Sequence, residues 1–180
     1  MLALACGCGG TSGASGSGSA ASRSEYLTLR TATTANQMAL TPSGQIVGPM
    51  IQLSPTKQGY RGMTNSAIVE LRSDGERIRG TIHDAMVDLH VTTSDDGLMV
   101  RGLYGGQLGH LQANSQMIRS SFGYCSYDLE ARGQHYEGLY ACRSRGRIPM
   151  TRPVSFELPP GFERLKTDRQ AMLLTIMLGQ

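Results

Sequence analysis

Tryptophan is absent from this 180-residue chain, and all aromatic residues together make up only 6% of it. Charged residues are also few, at 17%, and they leave a net charge of only +3. So small a positive excess does not by itself indicate nucleic-acid binding. No run of 18 apolar residues occurs, so the sequence contains no complete transmembrane helix. Glycine, in contrast, is abundant at 23 residues, which favours a turn-rich β protein over a charged helical one.

The common catalytic signatures are missing as well. No G-x-S-x-G sequence stands before a predicted helix, so a serine hydrolase elbow is not indicated. The phosphate-binding pattern G-x-x-x-x-G-K-[ST] does not occur either, and the glycines lie at strand spacing. We therefore expect a protein that is not an enzyme and that uses no cofactor.

The chain opens with MLALACGCGG, and residues 9–24 are almost entirely Gly, Ser, Ala and Thr. Such a composition buries too little apolar surface to order itself, so residues 1–25 are predicted to form a leader and a flexible tether. A short apolar run ending in small residues and a cysteine resembles the end of a bacterial lipoprotein signal peptide. The resemblance implies that Cys6, preceded by Ala3-Leu4-Ala5, is lipidated, with Cys8 as the second candidate.

This resemblance implies an exported protein that is anchored to membrane lipid in the bacterial cell envelope, in the periplasm or at the outer membrane. A complete signal peptide begins with a basic stretch and a longer apolar run, so we expect upstream in-frame codons for Lys or Arg and Leu. Two other interpretations of the N-terminus stay open. It is either an ordinary disordered segment with two incidental thiols or a Cys-x-Cys metal clip, although a zinc site needs further ligands.

From Tyr60 onward the chain repeats itself with a period of about 18 residues. The segments YRGMTNSAIVELR, IRGTIHDAMVDLH, VRGLYGGQLGHLQ and IRSSFGYCSYDLE follow one another, and YEGLYACRSRGRI is a degenerate fifth. A fixed period of this kind indicates one supersecondary unit copied along the chain. The shared small residues are Gly62, Gly80, Gly102, Ser120 and Gly138, and leucines follow the first four nine residues later at Leu71, Leu89, Leu111 and Leu129.

Each unit contains two stretches in which apolar residues alternate with others, separated by a turn signal such as Asp95-Asp96-Gly97. This pattern is typical of a β-hairpin, so the domain 26–180 is predicted to be mainly β, an antiparallel meander of about ten strands. A sheet of that size tends to close, which favours an up-and-down barrel; a β-solenoid is the alternative. The hairpin arrangement is favoured over the solenoid because it places residues of opposite charge opposite each other on neighbouring strands. The predicted pairs are Arg61 with Glu70, Arg79 with Asp88, Arg101 with His110, and Arg119 with Asp128.

One helix is predicted over residues 167–178, after the repeats. Thr167 and Gln170 have the spacing of a capping box, which indicates where the helix begins. The segment is apolar on most faces, so we expect it to dock against the sheet or to close one end of the barrel.

The hairpin register also pairs two of the four cysteines. A turn through residues 132–135 places Cys125 opposite Cys142, Tyr127 opposite Tyr140 and Leu129 opposite Gly138. We therefore predict a Cys125–Cys142 disulfide, which fits the oxidising compartment that the N-terminus implies.

Two polar clusters are candidate sites. Asp88, His90 and His110 lie at outward positions of adjacent units and are the best candidates for a metal site, although a solvated polar face is favoured. The second cluster is a possible polyanion patch, for which a solvated loop is the favoured interpretation. It consists of Arg143, Arg145, Arg147 and Arg152.

The expected function is that of a cell-envelope lipoprotein with a non-catalytic binding or structural role. Its expected partners are membrane lipid, through the anchor, and other envelope proteins, but not nucleic acid. One alternative is a barrel that carries a small apolar ligand, which predicts an interior cavity of about 300 Å³ or more. The aromatics that would line it are Tyr104, Phe122, Tyr127, Tyr136 and Tyr140. The other alternative is a metal-dependent enzyme.

Overall fold

A computed structural model describes residues 26–32, 35–65, 67–133, 135–143, 149–159 and 161–179. The candidate lipidation sites Cys6 and Cys8, and the candidate patch residues Arg145 and Arg147, lie outside these described residues.

The described residues form fourteen strands, a short 3₁₀ turn and one α-helix, in that order along the chain. The 3₁₀ turn spans Phe162–Arg164 and the helix, α1, spans Thr167–Leu178, the range predicted from the sequence. The strands are β1 Tyr26–Thr31, β2 Ala35–Leu40, β3 Ile46–Gly48, β4 Ile51–Pro55, β5 Gly59–Thr64, β6 Ala67–Ser73, β7 Arg77–Ile82, β8 Ala85–Ser94, β9 Gly97–Tyr104, β10 Gln107–Ala113, β11 Met117–Phe122, β12 Cys125–Arg132, β13 His135–Cys142 and β14 Thr151–Glu157.

Each strand pairs antiparallel with its neighbour in the chain, and β14 pairs with β1, so the meander closes into a barrel. The prediction of an up-and-down barrel is confirmed, and the solenoid is excluded. The predicted strand count was too low, however. The first four repeats supply the eight strands β5–β12 and the fifth supplies β13, whereas β14 follows the repeats and β1–β4 come from residues 26–55, where the repeat pattern does not hold.

The registers predicted from facing charges are confirmed. Arg61 lies opposite Glu70, and Arg119 lies opposite Asp128. The other two predicted pairs, Arg79 with Asp88 and Arg101 with His110, are also cross-strand partners.

Alternation along the strands puts apolar side chains inside the barrel. In β8, Val87, Leu89 and Val91 are buried, whereas Met86 before them and His90 between them are exposed. The same alternation continues around the wall, because one face of every strand looks inward. Leu71, Leu89, Leu111 and Leu129, the leucines of the repeats, are completely buried.

Helix α1 lies inside the barrel, not against its outer surface or across one end. Its residues Ala171–Leu178 are all buried, which means that every face of the helix is covered by protein. It contacts β7, β8 and β9 as well as β11 and β12. The helix is apolar on most faces because it is surrounded by the wall.

The two ends of the helix define the two ends of the barrel. At the start of α1, the Arg169 guanidinium donates a hydrogen bond of 2.8 Å to the Thr56 carbonyl and another to the Gly59 carbonyl, in the β4–β5 turn. Beyond its last residue, the Gly179 carbonyl accepts a 2.7 Å hydrogen bond from the Tyr104 hydroxyl at the end of β9. We call these ends of the barrel the Arg169 end and the Gly179 end.

The predicted capping box does not form. Lys166 is the N-cap residue of α1, and no side chain caps the helix. The Gln170 side-chain amide instead donates to the carbonyls of Phe162 and Leu165, at 3.2 and 3.0 Å. The 3₁₀ turn that precedes the helix presents these carbonyls, and they compete successfully for the amide.

Where the shared small residue of a repeat is glycine, it allows a close approach between strands. Gly80 has φ +144°, and a Cβ atom placed on it would lie 1.8 Å from the Glu70 carbonyl oxygen of β6. Gly102 is similar, with φ +153° and the Asp88 carbonyl oxygen at 2.2 Å. The shared small residue of a repeat lies opposite the leucine of the preceding repeat, as Gly80 lies opposite Leu71 and Gly102 opposite Leu89.

We expect Gly80→Ala to lower the free energy of unfolding by at least about 2 kcal/mol, because it adds both backbone strain and a collision with β6. Gly75→Ala is the matched control, since Gly75 also has positive φ, at +106°, but has no atom within 4 Å of the added Cβ. The control should cost only about 1 kcal/mol. Equal losses for the two variants in urea unfolding would contradict the close approach of the strands.

Candidate functional surface

The predicted inner-face aromatics lie inside the barrel as part of its core. Tyr104, Phe122 and Tyr127 are buried, and Tyr136 and Tyr140 are partly buried against them. The rings of Tyr104 and Phe122 lie 5.6 Å apart, and those of Tyr127 and Tyr140 lie 5.8 Å apart. These aromatic rings pack against each other, and the helix lies in the space that a ligand would need.

The buried tyrosines hold their hydroxyls in a largely apolar interior. The Tyr136 hydroxyl donates a 2.8 Å hydrogen bond to the Asn114 carbonyl, as the Tyr104 hydroxyl does to Gly179. Burial raises the pKa of Tyr104 to about 12 and that of Tyr127 to about 12. Their phenols stay neutral at physiological pH and serve packing.

The charged residues of the repeats face outward and pair along the wall. The Arg77 Nε atom donates a 2.5 Å hydrogen bond to Asp88 Oδ1, and Arg79 Nε lies 3.8 Å from the same oxygen. Arg119 Nε donates a 2.8 Å bond to Asp128 Oδ1. The hydrogen bond from Arg77 holds the pKa of the Asp88 carboxyl below its usual range. These exposed pairs contribute little to stability but help to fix the register of the strands.

The three metal-ligand candidates are not gathered into one site. Asp88 is held by Arg77 and Arg79, and the two histidines are separated by a whole strand. His90 pairs with Arg101, and Arg101 pairs with His110, so a cation lies between them. Neighbouring strands are about 4.8 Å apart, which puts the two histidine backbones about 10 Å apart. Among the described residues, no group of three or more His, Cys, Asp or Glu side chains could hold a metal ion.

Two of the four arginines of the predicted polyanion patch are described, and both are exposed at the Gly179 end. The Arg143 backbone N–H donates a 2.7 Å hydrogen bond to the Tyr124 carbonyl, in the turn between β11 and β12. Arg152 lies in β14 opposite Tyr140. The two described arginines therefore lie at the same rim of the barrel, one just after β13 and one in the neighbouring strand β14.

The predicted disulfide is present. Cys125 lies directly opposite Cys142, and their sulfur atoms are bonded at 2.01 Å. The predicted neighbours in this register, Tyr127 with Tyr140 and Leu129 with Gly138, are also paired. Cys125 begins β12 and Cys142 ends β13, so the bond lies at the Gly179 end of the barrel. It therefore joins the two strands of this hairpin at their open end, away from the turn that connects them.

Sequence reasoning missed a set of apolar residues on the outside of the barrel. Met86 is 75% exposed and Leu108 is 86% exposed, although both lie in strands of the wall. The sequence did contain a signal for Met86 and Leu108, because both are apolar residues at positions of the alternating pattern that are predicted to face outward. The set, which we call the apolar collar, consists of Met50, Met63, Ile68, Met86, Leu103, Leu108, Tyr124 and Met150.

We expect reduction of the disulfide to lower the free energy of unfolding by about 3 kcal/mol, because the bond closes a 17-residue separation in the unfolded chain. The double variant Cys125→Ser/Cys142→Ser should unfold at the midpoint of the reduced wild type and should not respond to reductant. Thermal unfolding with and without a phosphine reductant measures this. A wild-type midpoint that does not move on reduction would contradict the prediction.

We also expect stability to fall in alkaline solution. A tyrosine in the unfolded chain ionises near pH 10, whereas burial raises the pKa of Tyr127 to about 12. Its contribution is therefore intact below pH 10 and declines by about 1.4 kcal/mol per pH unit between pH 10 and 12. Urea unfolding from pH 8 to 12 should show a shallower decline for Tyr127→Phe than for the wild type. Tyr124→Phe, at an exposed ring, is the control and should leave the slope unchanged.

Comparison of the chain with protein-family models, with curated proteins and with solved structures finds no match. A search of the described residues for helices long and apolar enough to cross a membrane finds none.

Proposed function

We propose that this protein is an exported lipoprotein of the bacterial cell envelope, and that its barrel is a non-catalytic binding or structural module. The observation that carries the proposal is the disulfide between Cys125 and Cys142. Structural disulfides persist in oxidising compartments and are rare in the bacterial cytosol. The N-terminal sequence, with Cys6 ahead of a Gly- and Ser-rich stretch, supplies the second line of support.

The position of helix α1 favours this role over that of a ligand carrier. A carrier needs an apolar cavity inside its wall, whereas here Met172, Leu174 and Ile176 of the helix occupy the centre of the barrel. Releasing that space would expose the buried face of the whole wall to water. Binding of a partner would therefore use the outer wall or the ends of the barrel.

The outer wall also disfavours a metal-dependent enzyme. A catalytic metal needs three converging protein ligands and an open position. Asp88 is instead engaged by two arginines, and Arg101 lies between His90 and His110. Charges arranged in this way fit a solvated wall better than a reaction centre.

The length of the N-terminal segment fits a tethered module. Tyr26 begins β1 at the Arg169 end of the barrel, next to the end of β14. The 20 residues that separate Cys6 from Tyr26 span at most about 70 Å when fully extended. A lipid on Cys6 would thus hold the barrel within reach of the membrane and of other envelope proteins.

Metabolic labelling of the native cells with an alkyne fatty acid tests the proposal. We expect the immunoprecipitated protein to carry the label, Cys6→Ser to lose it, and Cys8→Ser to keep it. The protein should also partition with the membrane fraction. Recovery of the unlabelled wild type in the cytosol, with both Cys125 and Cys142 alkylatable, would overturn the proposal.

A further inference from the structure

Exposed apolar side chains are concentrated at one end of the barrel. Met63 is the last but one residue of β5. Ile68 and Met86 are the second residues of β6 and β8, and their side chains face outward. All three lie at the Gly179 end, as do the collar residues in the turns between strands. Of the large exposed apolar residues of the described chain, the ones outside the collar are Tyr26, Val47 and Leu139.

The collar residues are neighbours along the rim. Met63 lies directly opposite Ile68, and Leu103 lies directly opposite Leu108. Met86 lies opposite Gly105, which is two residues beyond Leu103 in the chain. The side chains of Met86 and Leu103 are therefore diagonal neighbours on adjacent strands. Together these strands place one arc of apolar side chains over β5–β10.

The two ends of the barrel differ in their charge balance. Arg143 and Arg152 are exposed at the rim of the Gly179 end, and in the described turns of that end the one carboxylate is Asp84, so this rim carries a small positive excess. At the Arg169 end, in its turns and beside the start of the helix, carboxylates and basic residues are both numerous and balance each other. The carboxylates are Asp74, Glu76, Asp95, Asp96, Glu157, Glu163 and Asp168, and the basic residues are Lys57, Arg72, Arg77, Arg132, Arg164, Lys166 and Arg169.

We propose that the Gly179 end docks on the surface of an anionic lipid bilayer, with the apolar collar at the boundary between headgroups and acyl chains. Interfacial binding takes its energy from buried apolar area and from attraction between basic residues and anionic lipids. The Gly179 end offers both, whereas the Arg169 end lacks the collar and its charges balance, so the barrel docks by its Gly179 end.

Charge favours the bilayer over a second copy of the chain as the occupant. Each copy brings Arg143 and Arg152 to this end but only one carboxylate, Asp84. An end-to-end contact between two copies would therefore leave positive charge uncompensated on both sides. An anionic bilayer supplies the missing negative charge and an apolar layer at the same time.

The docked orientation is compatible with an anchor at the opposite end. The 12-residue helix that runs between the two ends is about 18 Å long. The maximum span of about 70 Å from Cys6 to Tyr26 exceeds this distance several times, so the anchor and the collar can reach one membrane. The inference deepens the proposed function, but docking itself needs no lipid on the protein.

The test uses the full chain carrying Cys6→Ser and Cys8→Ser, so that no lipid anchor contributes. Co-sedimentation is measured with vesicles of phosphatidylcholine alone and of phosphatidylcholine with 30% phosphatidylglycerol, as probe surfaces. We expect binding to the anionic vesicles and at least about fivefold weaker binding to the neutral ones. Because the anchor is absent here, failure of docking and failure of lipidation are separate results.

The collar is tested by Met86→Thr/Leu108→Thr, which should weaken binding at least about tenfold. The matched control is Val47→Thr/Leu139→Thr, which removes exposed apolar residues outside the collar and should leave binding unchanged. Denaturant midpoints equal to that of the parent chain establish that the variants are folded.

The arginines are tested by Arg143→Gln and Arg152→Gln, each of which should weaken anionic binding about fivefold and reduce its dependence on salt. Arg132→Gln, exposed at the end of β12 at the Arg169 end and so remote from the collar, is the control and should change nothing. Failure to bind either vesicle would overturn the proposal, as would equal losses in collar and control variants. Collar-dependent dimerisation without vesicle binding would overturn it in favour of a second copy.

Discussion

Mutual burial of helix α1 and the barrel wall is the constraint on which the rest of the structure depends. A wall of fourteen strands is too wide for its own side chains to fill, so its apolar inner face needs something to pack against. The helix is apolar around its circumference and would be insoluble in the open. Each element is therefore stable because it covers the other, and the interior is a packed core.

The outer surface follows from the same arrangement. Because the inward positions belong to the core and carry apolar or small residues, the charged residues of the repeats are confined to outward positions. Toward the Arg169 end these positions carry charge pairs such as Arg77 with Asp88, and toward the Gly179 end they carry the apolar collar. The wall thus separates the residues that stabilise the fold, which lie inside, from the charged and apolar residues that face solvent at its ends and on its outer face.

Much of this fold could be predicted from the sequence because the 18-residue period fixes hairpin register. The pairing of Cys125 with Cys142 and of Arg119 with Asp128 follows from that period alone. Strands β1–β4 were underestimated because they lack the period. The helix range and its docking against the sheet were predicted correctly. Its enclosure by the wall was not predicted, because an apolar circumference indicates that a helix is covered but not which elements cover it. The collar was not predicted, because single apolar residues at outward positions are common on protein surfaces and form a patch only when the fold brings them together.

The order of the elements along the chain has a consequence for biogenesis. Helix α1 follows all fourteen strands, yet it occupies the space that those strands enclose. The wall cannot close into its final form until the last segment has been delivered to its centre, so pairing of β1 with β14 and insertion of α1 must be completed together. Such non-local closure is slow compared with hairpin formation. A chain that emerges from a ribosome or a translocon would pass through an open, curled sheet, and that intermediate would need protection from aggregation until its final residues arrive.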